Sequence, residues 1–414
     1  MNSFLKMLVY RIPRLRELRE EVEFLKEENS RLIKGIDAER GSNNFLNFRK
    51  EELDRLHEEV VERNWGILPS RKHLFCFSPF KRIEILTNGD VYTCCSAHLK
   101  HGYFIGNLFE EEVEAIWNSE KAKKLRYSVS EGDFEYCNHM CRWLHQDKED
   151  RNDSISPVRE REEVAVHYKN YQECSLQEGP VEISLSCDDT CNLYCQSCRA
   201  KRKVLDKEGS EKLYQILMTK VRPMLVTCKN LSALGSGDIF SSQALSRFYQ
   251  TLSKEEFPDL ELLIITNAQL LTKEKWEEFS NLHGMTIDLV ISIDAAKKET
   301  YEVIRRGGSW EVLNQNMDAI GEWRRQKQIR SLQINFLVQR KNYLEMEEFL
   351  LLGKKWGADR IEFQKMANWG SYTDEEFQKE DVNNPENEYY QEAMKRLSKI
   401  CGQNNGIEII QNII

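Results

Sequence analysis

Cys191-Asn192-Leu193-Tyr194-Cys195-Gln196-Ser197-Cys198 sets three cysteines in a C-x3-C-x2-C triplet, directly after a predicted strand at Val181–Ser186. Three thiolates this close together can hold three corners of an iron–sulfur cube, and a [4Fe–4S] cluster normally takes four cysteines. No regularly spaced fourth cysteine completes the set. The pattern therefore predicts one iron left open for a small chelating ligand, for which an amino acid's amine and carboxylate would serve.

Downstream of the triplet the pattern becomes strand, helix, strand. Predicted strands are Val181–Ser186, Leu231–Leu234, Leu262–Thr266, Thr286–Ile293, Ser331–Val338 and Arg360–Phe363, and Gly406–Ile414 is a candidate for one more. Amphipathic helices are predicted between them at Glu208–Lys220, Lys273–Asn281, Trp310–Gln326 and Leu344–Trp356. Strands alternating with helices imply an α/β fold with a parallel sheet, open or partly closed as a barrel. In such folds the loops at the carboxyl ends of the strands build the site. The triplet follows the first strand and falls in such a loop.

Upstream lies a second cysteine group, Cys76, Cys94, Cys95, Cys137 and Cys141. Arg82–Thr87, Asn88-Gly89 and Asp90–Cys95 read as a β-hairpin, since Asn-Gly suits a tight primed turn. Alternation along that second strand puts Cys94 and Cys95 on opposite faces, so only one serves as a ligand with the others. Glu111–Tyr127 reads as one helix, and the charged stretch Gln146–Glu163 as a linker. Further upstream, Leu15, Leu18, Val22, Leu25, Asn29, Leu32 and Ile36 form an a/d seam. Asn29 at an a position favours a parallel homodimeric coiled coil. The alternative is a single amphipathic helix lying on the protein's own body. Gly41-Ser42-Asn43-Asn44 breaks that helix, and another is predicted at Glu51–Asn64.

Composition narrows the classes. A formal charge of −9 argues against general nucleic-acid affinity. No apolar run approaches the roughly 18 residues that span a bilayer. The apolar start, Met1–Tyr10, is interrupted by Lys6 and lacks a small-residue cleavage site, so a cytoplasmic location is expected. Twelve cysteines without an export signal read as metal ligands sooner than as disulfides.

With these motifs the chain resembles the radical S-adenosylmethionine (SAM) superfamily, whose hallmark is a C-x3-C-x2-C loop after the first barrel strand. Gly235-Ser236-Gly237-Asp238 follows strand two and matches the family's glycine-rich element, which aligns the SAM methionine moiety by backbone contacts. Thr266-Asn267-Ala268 follows strand three and is close to the family's Thr-Asn-Gly. Ser292-Ile293-Asp294-Ala295 ends strand four and, in similar proteins, lies along the SAM ribose. The resemblance implies a partial (β/α)6 barrel over residues 165–414 with SAM on a cluster at Cys191, Cys195 and Cys198. It also implies cofactor contacts from Gly235, Ser236, Gly237, Asp238, Ser292 and Asp294. One departure is Ser197, which stands where an aromatic residue usually packs near adenine; subgroups with Ser-Cys-Arg share it, and Arg199 completes that variant here.

The upstream group is similar to the SPASM/Twitch auxiliary-cluster domains of such enzymes, with Cys76-x12-Gly89-x4-Cys94 followed distantly by Cys137-x3-Cys141. This implies a small α+β domain at 65–160, after a helical segment at 1–64. Its one closed [4Fe–4S] cluster would sit on Cys76, Cys94, Cys137 and Cys141, making two clusters in all. Such domains usually follow the barrel; this chain looks like the subgroup in which they precede it. A structural zinc site is the alternative for either cysteine group.

The implied activity is reductive cleavage of SAM to a 5′-deoxyadenosyl radical, which abstracts hydrogen from a peptide or protein substrate, with the auxiliary cluster aiding an oxidative modification. An external donor such as flavodoxin or ferredoxin would supply the electron. The competing enzyme reading is a redox-neutral epimerase or carbohydrate-modifying enzyme acting on a small molecule, with Cys228 or Cys401 as hydrogen donor. The reading from another class is a non-catalytic coiled-coil metal-binding scaffold. Asp188 and Asp189 read as substrate-orienting or loop-capping, and Arg305-Arg306-Gly307-Gly308 as a carboxylate or phosphate contact or as plain surface. Trp369-Gly370 is expected at the barrel mouth.

Overall fold

A computed structural model describes residues 71–99, 102–138, 141, 144, 158–160, 167–233, 237–368, 371–401 and 406–412. The heptad seam, the helix expected at 51–64, and Gly235, Ser236, Trp369 and Gly370 lie outside the described residues.

A ten-stranded sheet forms the framework. Its parallel part runs in chain order through β6 (Glu182–Ser186), β7 (Asn230–Ala233), β8 (Glu261–Thr266), β9 (Thr286–Ser292), β10 (Ser331–Val338), β11 (Arg360–Lys365) and β12 (Glu408–Asn412). The order is singly wound, without the reversal of a doubly wound sheet. All the strands expected from the sequence are present, and the segment near the end of the chain supplies β12. Between them pack α4 (Lys207–Ile216), α5 (Gln243–Tyr249), α6 (Lys273–Glu277), α7 (Lys298–Ile304), α8 (Trp310–Arg325), α9 (Met346–Trp356), α10 (Asp374–Glu380) and α11 (Tyr390–Cys401). The helix expected at Glu208–Lys220 starts on Asp206, whose carboxylate caps the amide of Gly209, and widens into a π turn at Leu217–Val221.

Alternation along the strands explains the two faces of the sheet. Ile183, Leu185, Leu231, Ile264, Leu289, Ile334, Phe336 and Phe363 enter the large hydrophobic core. The other face is polar. Ser232 Oγ donates to Ser184 Oγ at 3.0 Å, and Gln333 Nε2 donates to Asn335 at 2.8 Å and Glu362 at 2.9 Å.

The hairpin strands β2 (Arg82–Leu86) and β3 (Asp90–Tyr92), with the short β4 (Gly106–Asn107), extend this same sheet. β2 pairs in parallel with β6, from Arg82 opposite Glu182 to Leu86 opposite Ser186. The turn differs from the tight primed one expected. Glu84 faces Tyr92 and Ile85 faces Val91, which leaves a three-residue loop, Thr87-Asn88-Gly89. Gly89 N donates to Leu86 O at 2.9 Å and only Gly89 takes a positive φ, +85°. A primed Asn-Gly turn would need a positive φ at Asn88 as well. Beside the hairpin, β1 (Leu74–Cys76) pairs antiparallel with β5 (Val158–Glu160), which falls inside the expected linker.

The helix expected at Glu111–Tyr127 is two helices after α1 (Ser78–Lys81): α2 (Val113–Trp117) and α3 (Glu120–Glu131). Asn118 leaves the helix to bond both backbone groups of Leu176, at 2.8 and 2.9 Å. Ser119 then caps α3 through the amide of Ala122. Arg126 on α3 ties these pieces together from a fully buried position. Its guanidinium donates to Pro79 O, Trp117 O, Cys174 O and Asn118 Oδ1 at 2.7–3.2 Å and lies 4.3 Å from the Trp117 ring centroid. Burial among carbonyls pulls its pKa down to about 10. Replacing Arg126 with Ala strands three buried carbonyls, each costing about 1–3 kcal/mol when unpaired. Arg126→Ala should lower unfolding stability by about 3 kcal/mol or more in urea titrations. Arg126→Lys should recover little, because an ammonium cannot span a planar set of acceptors.

Candidate functional site

The chain from Cys187 to Leu205 leaves β6 and enters α4 without forming a strand or helix, so its polar groups must be held from outside. The ends of β7, β8 and β9 and the residues that close α7 supply the hold. Asp188 caps Thr190 N at 2.8 Å and accepts from Ser242 Oγ at 2.5 Å; Ser242 is also the N-cap of α5. Thr190 O accepts from Asp238 N at 2.9 Å. Gly237 sits so close that a Cβ there would lie 2.5 Å from Asp188 O and 2.6 Å from Thr190 O. The lack of bulk expected at Gly237 for a ligand's sake is thus already required by the cysteine loop.

Each cysteine of the triplet meets a neighbour that can donate to sulfur. Asn267 Nδ2 lies 3.7 Å from Cys191 Sγ, and Leu193 N is 3.4 Å from the same atom. Arg305 Nη1 lies 3.7 Å from Cys195 Sγ, and Arg199 Nε 3.3 Å from Cys198 Sγ. Burial raises the Cys191 thiol to about 11. It also raises Cys195, against the pull of Arg305. Cys195 is felt electrostatically by Cys191, and Cys198 by Cys195, so the three sulfurs share one region. Donors aimed at thiolate sulfur stabilise the charged ligand form that iron needs.

Asp238 and Asp294, expected beside the cofactor, are both 3% exposed and already occupied. Asp238 accepts from Thr266 Oγ1 at 2.7 Å, Asn267 N at 2.9 Å and Phe240 N at 3.0 Å. Asp294 accepts from Leu337 N at 2.8 Å and pairs with Arg305 at 2.6 Å. Burial raises both carboxyls. Burial alone would lower Arg305, but Asp294 and Cys195 outweigh it and hold the guanidinium above its usual value. Ser292 ends β9 opposite Asn335, partly buried on the polar face.

The arginine pair, left open by the sequence, braces the loop. Arg305 joins Asp294 to Cys195, while Arg306 donates to Tyr194 O at 2.9 Å and Arg199 O at 3.0 Å. Of the two aspartates, Asp188 caps the loop, whereas Asp189 pairs with the exposed Lys203. Cys187 packs into the large core on the helix side, apart from the triplet. Cys228 precedes β7 at the amino end of the sheet, where its sulfur meets Asn230 O at 3.2 Å; the triplet lies at the opposite end. Cys401 ends α11 beside Gln411 of β12, across the sheet from β6. Neither is brought to the triplet.

The upstream cysteines converge in the smaller core, where Cys141 is buried among Leu74, Phe75, Tyr92, Leu125 and Phe134, with Cys76, Cys94 and Cys137 packed against it. Burial raises Cys76 to about 11, and raises Cys94 and Cys137 as well. Next after burial, Cys137 is raised by Cys76, Cys94 and Cys141, which places four sulfurs in one electrostatic neighbourhood. Backbone bonds shape the pocket: Cys137 N to Phe134 O, Asn138 N to His98 O and Cys141 N to Asn138 O, at 2.8–3.0 Å. Among the described residues no three His, Cys, Asp or Glu side chains converge tightly enough for one metal ion. Thiolates of a polynuclear cluster each bind a different iron and stand farther apart, so the four-sulfur set fits such a group.

Residues 76–142 match the SPASM family model, described as an iron–sulfur cluster-binding domain. No curated protein matches the chain. Among solved structures, SuiB of Streptococcus suis is 15% identical with a TM-score of 0.42, over 60% of this chain and 56% of that one. SuiB bound to its precursor peptide SuiA is 15% identical with a TM-score of 0.41, over 74% and 65%. The anSMEcpe structure with bound AdoMet and Cp18Cys peptide is 14% identical with a TM-score of 0.33, over 55% and 62%. The chain thus spans less than two thirds of the length of each of these proteins.

Two substitutions test the loop's anchoring. Ala268 holds a φ of +60° where a glycine would relax. Ala268→Gly should therefore stabilise the fold by about 0.5–1 kcal/mol in urea titrations. Gly237→Ala should instead displace the triplet loop and lower unfolding stability in the same titrations, since its Cβ would meet two backbone oxygens at 2.5 and 2.6 Å.

Proposed function

We propose that this chain is a radical SAM enzyme acting on a peptide or protein, with an auxiliary iron–sulfur cluster ahead of its catalytic unit. The observation that carries the reading is the way Gly237 and Asp238, Asn267, and Asp294 with Arg305 all close on the loop that bears Cys191, Cys195 and Cys198. Apart from Arg305, these belong to the strand-end motifs that the resemblance places around SAM, and here they fasten the same loop. Cys191, Cys195 and Cys198 would hold a cluster with one open iron. Gly235, Ser236, Gly237 and Ser292 would present backbone and small side chains to SAM, with Asp238 and Asp294 fixing the turns from behind. When bound, the cluster and SAM supply the 5′-deoxyadenosyl radical that removes hydrogen from the substrate. The polar face of the sheet, with Ser184, Ser232, Asn335 and Glu362, would line the way to that radical.

Cys76, Cys94, Cys137 and Cys141 would ligate the auxiliary cluster within a unit at 65–160, next to the SAM unit at 165–414; the match to an iron–sulfur domain over residues 76–142 supports this. The electron would come from an external donor of the flavodoxin or ferredoxin kind. Enzymes with auxiliary clusters of this type mostly modify peptides, proteins or sugar-like small molecules, and a peptide or protein is ranked narrowly first. The epimerase alternative gains nothing from Cys228, which lies at the wrong end of the sheet. No helix of the described residues is long and apolar enough to cross a membrane.

The test is anaerobic reconstitution, iron and sulfide counting, then SAM with dithionite and detection of 5′-deoxyadenosine. About eight irons per chain are expected, four per cluster. Cys198→Ala should bring the count towards four and abolish deoxyadenosine. Bound zinc in place of iron, or no deoxyadenosine from the wild type, would sink the reading.

A further inference from the structure

Glu84 stands on β2, on the polar face of the sheet, and is 7% exposed. Its two oxygens go separate ways. Oε2 accepts from Ser96 N at 3.0 Å, two residues past Cys94, and Oε1 accepts from Ser186 Oγ at 3.3 Å. Ser186 is the last residue of β6 and opens directly onto the loop that carries the triplet. Among the described residues neither oxygen is paired with a cation. A buried carboxyl group is thus bound at one oxygen by the amide two residues past Cys94 and at the other by the hydroxyl that ends β6. The placement depends on the pairing of β2 with β6, which sets Glu84 opposite Ser184 and leaves Ser186 one step along the same face.

We propose that Glu84 is a positioning residue that sets the reduction potential of the auxiliary cluster and ties its ligand loop to the strand that launches the triplet. This rests on the proposed cluster at Cys76, Cys94, Cys137 and Cys141. Cluster potentials respond to nearby charge and to groups that orient the ligands. A carboxylate bound to the amide two residues past Cys94 adds negative charge on that side of the ligand loop, which disfavours adding an electron there. It holds the auxiliary potential low, and its hydrogen bond fixes how the Cys94 segment turns. Removing the charge while keeping the shape should make that cluster easier to reduce.

The experiment is potentiometric titration of the reconstituted full chain, with the two clusters followed by electron paramagnetic resonance. Glu84→Gln should keep both clusters and move the auxiliary signal to a more positive potential, while Glu84→Asp stays nearer to wild type. Ser96→Pro deletes the amide donor together with the serine hydroxyl: Cys95 before it is extended at φ −57°, ψ 128°, which tolerates a following proline, and Ser96 opens a short 3-10 turn. It should perturb the auxiliary signal and leave the triplet's signal in place. Wild-type potentials in loaded Glu84→Gln and Ser96→Pro would overturn the inference and leave the proposed function standing. If Glu84→Gln fails to load, Ser96→Pro and Ser186→Ala decide on the same readout. A wild-type chain with no second cluster signal would overturn the auxiliary site itself, and this inference with it.

Discussion

A long loop with no strand or helix of its own has to be fastened by others. Between Cys187 and Leu205 the backbone turns through the three cysteines, and its anchors come from neighbouring strand ends and from the end of α7. Asp238 holds Thr190 by its amide, Asn267 reaches Cys191, and Arg305 and Arg306 close on Cys195 and Tyr194. These anchors exist only because β6 to β9 lie side by side in chain order, which brings successive carboxyl ends to one rim. The sheet's singly wound order and the geometry of the triplet are one constraint seen twice.

The same constraint explains the cost accepted at Asp294. It takes a left-handed φ of +66°, uncommon for anything but glycine, asparagine and aspartate, and sits buried. The turn aims its carboxylate at Arg305, and so indirectly at Cys195. A glycine would relieve the backbone there but would leave Arg305 without its partner.

Much of this was readable in the chain. The parallel strands announced themselves as apolar alternation bounded by turn residues, because one face of each must enter the helix-covered core. The triplet was legible from its spacing; upstream, spacing marked out five cysteines, and it was the resemblance that narrowed them to Cys76, Cys94, Cys137 and Cys141. Less visible was anything settled by contacts between distant segments. Asn118 and Ser119 looked like helix interior, yet Leu176, far along the chain, offers Asn118 a better set of partners. The Asn-Gly pair suggested a two-residue turn, but strand register made it three. Arg305 and Arg306 looked like surface arginines or a ligand clamp because no local pattern marks a residue that braces someone else's loop. Glu84 read as an ordinary strand position. Its burial between two loops becomes apparent only when β2 is laid against β6.

That β2–β6 partnership joins residues about a hundred positions apart, Glu84 with Ser186 among them. On the ribosome β2 emerges first and must await β6. At about 5–20 residues per second, that leaves its edge open for roughly 5–20 s. For that interval the hairpin is an unpaired strand carrying exposed cysteines, open to stray pairing and to oxygen. The placement of this small unit ahead of its partner thus makes synthesis itself a vulnerable stage, and expression at low temperature with limited aeration should favour intact protein.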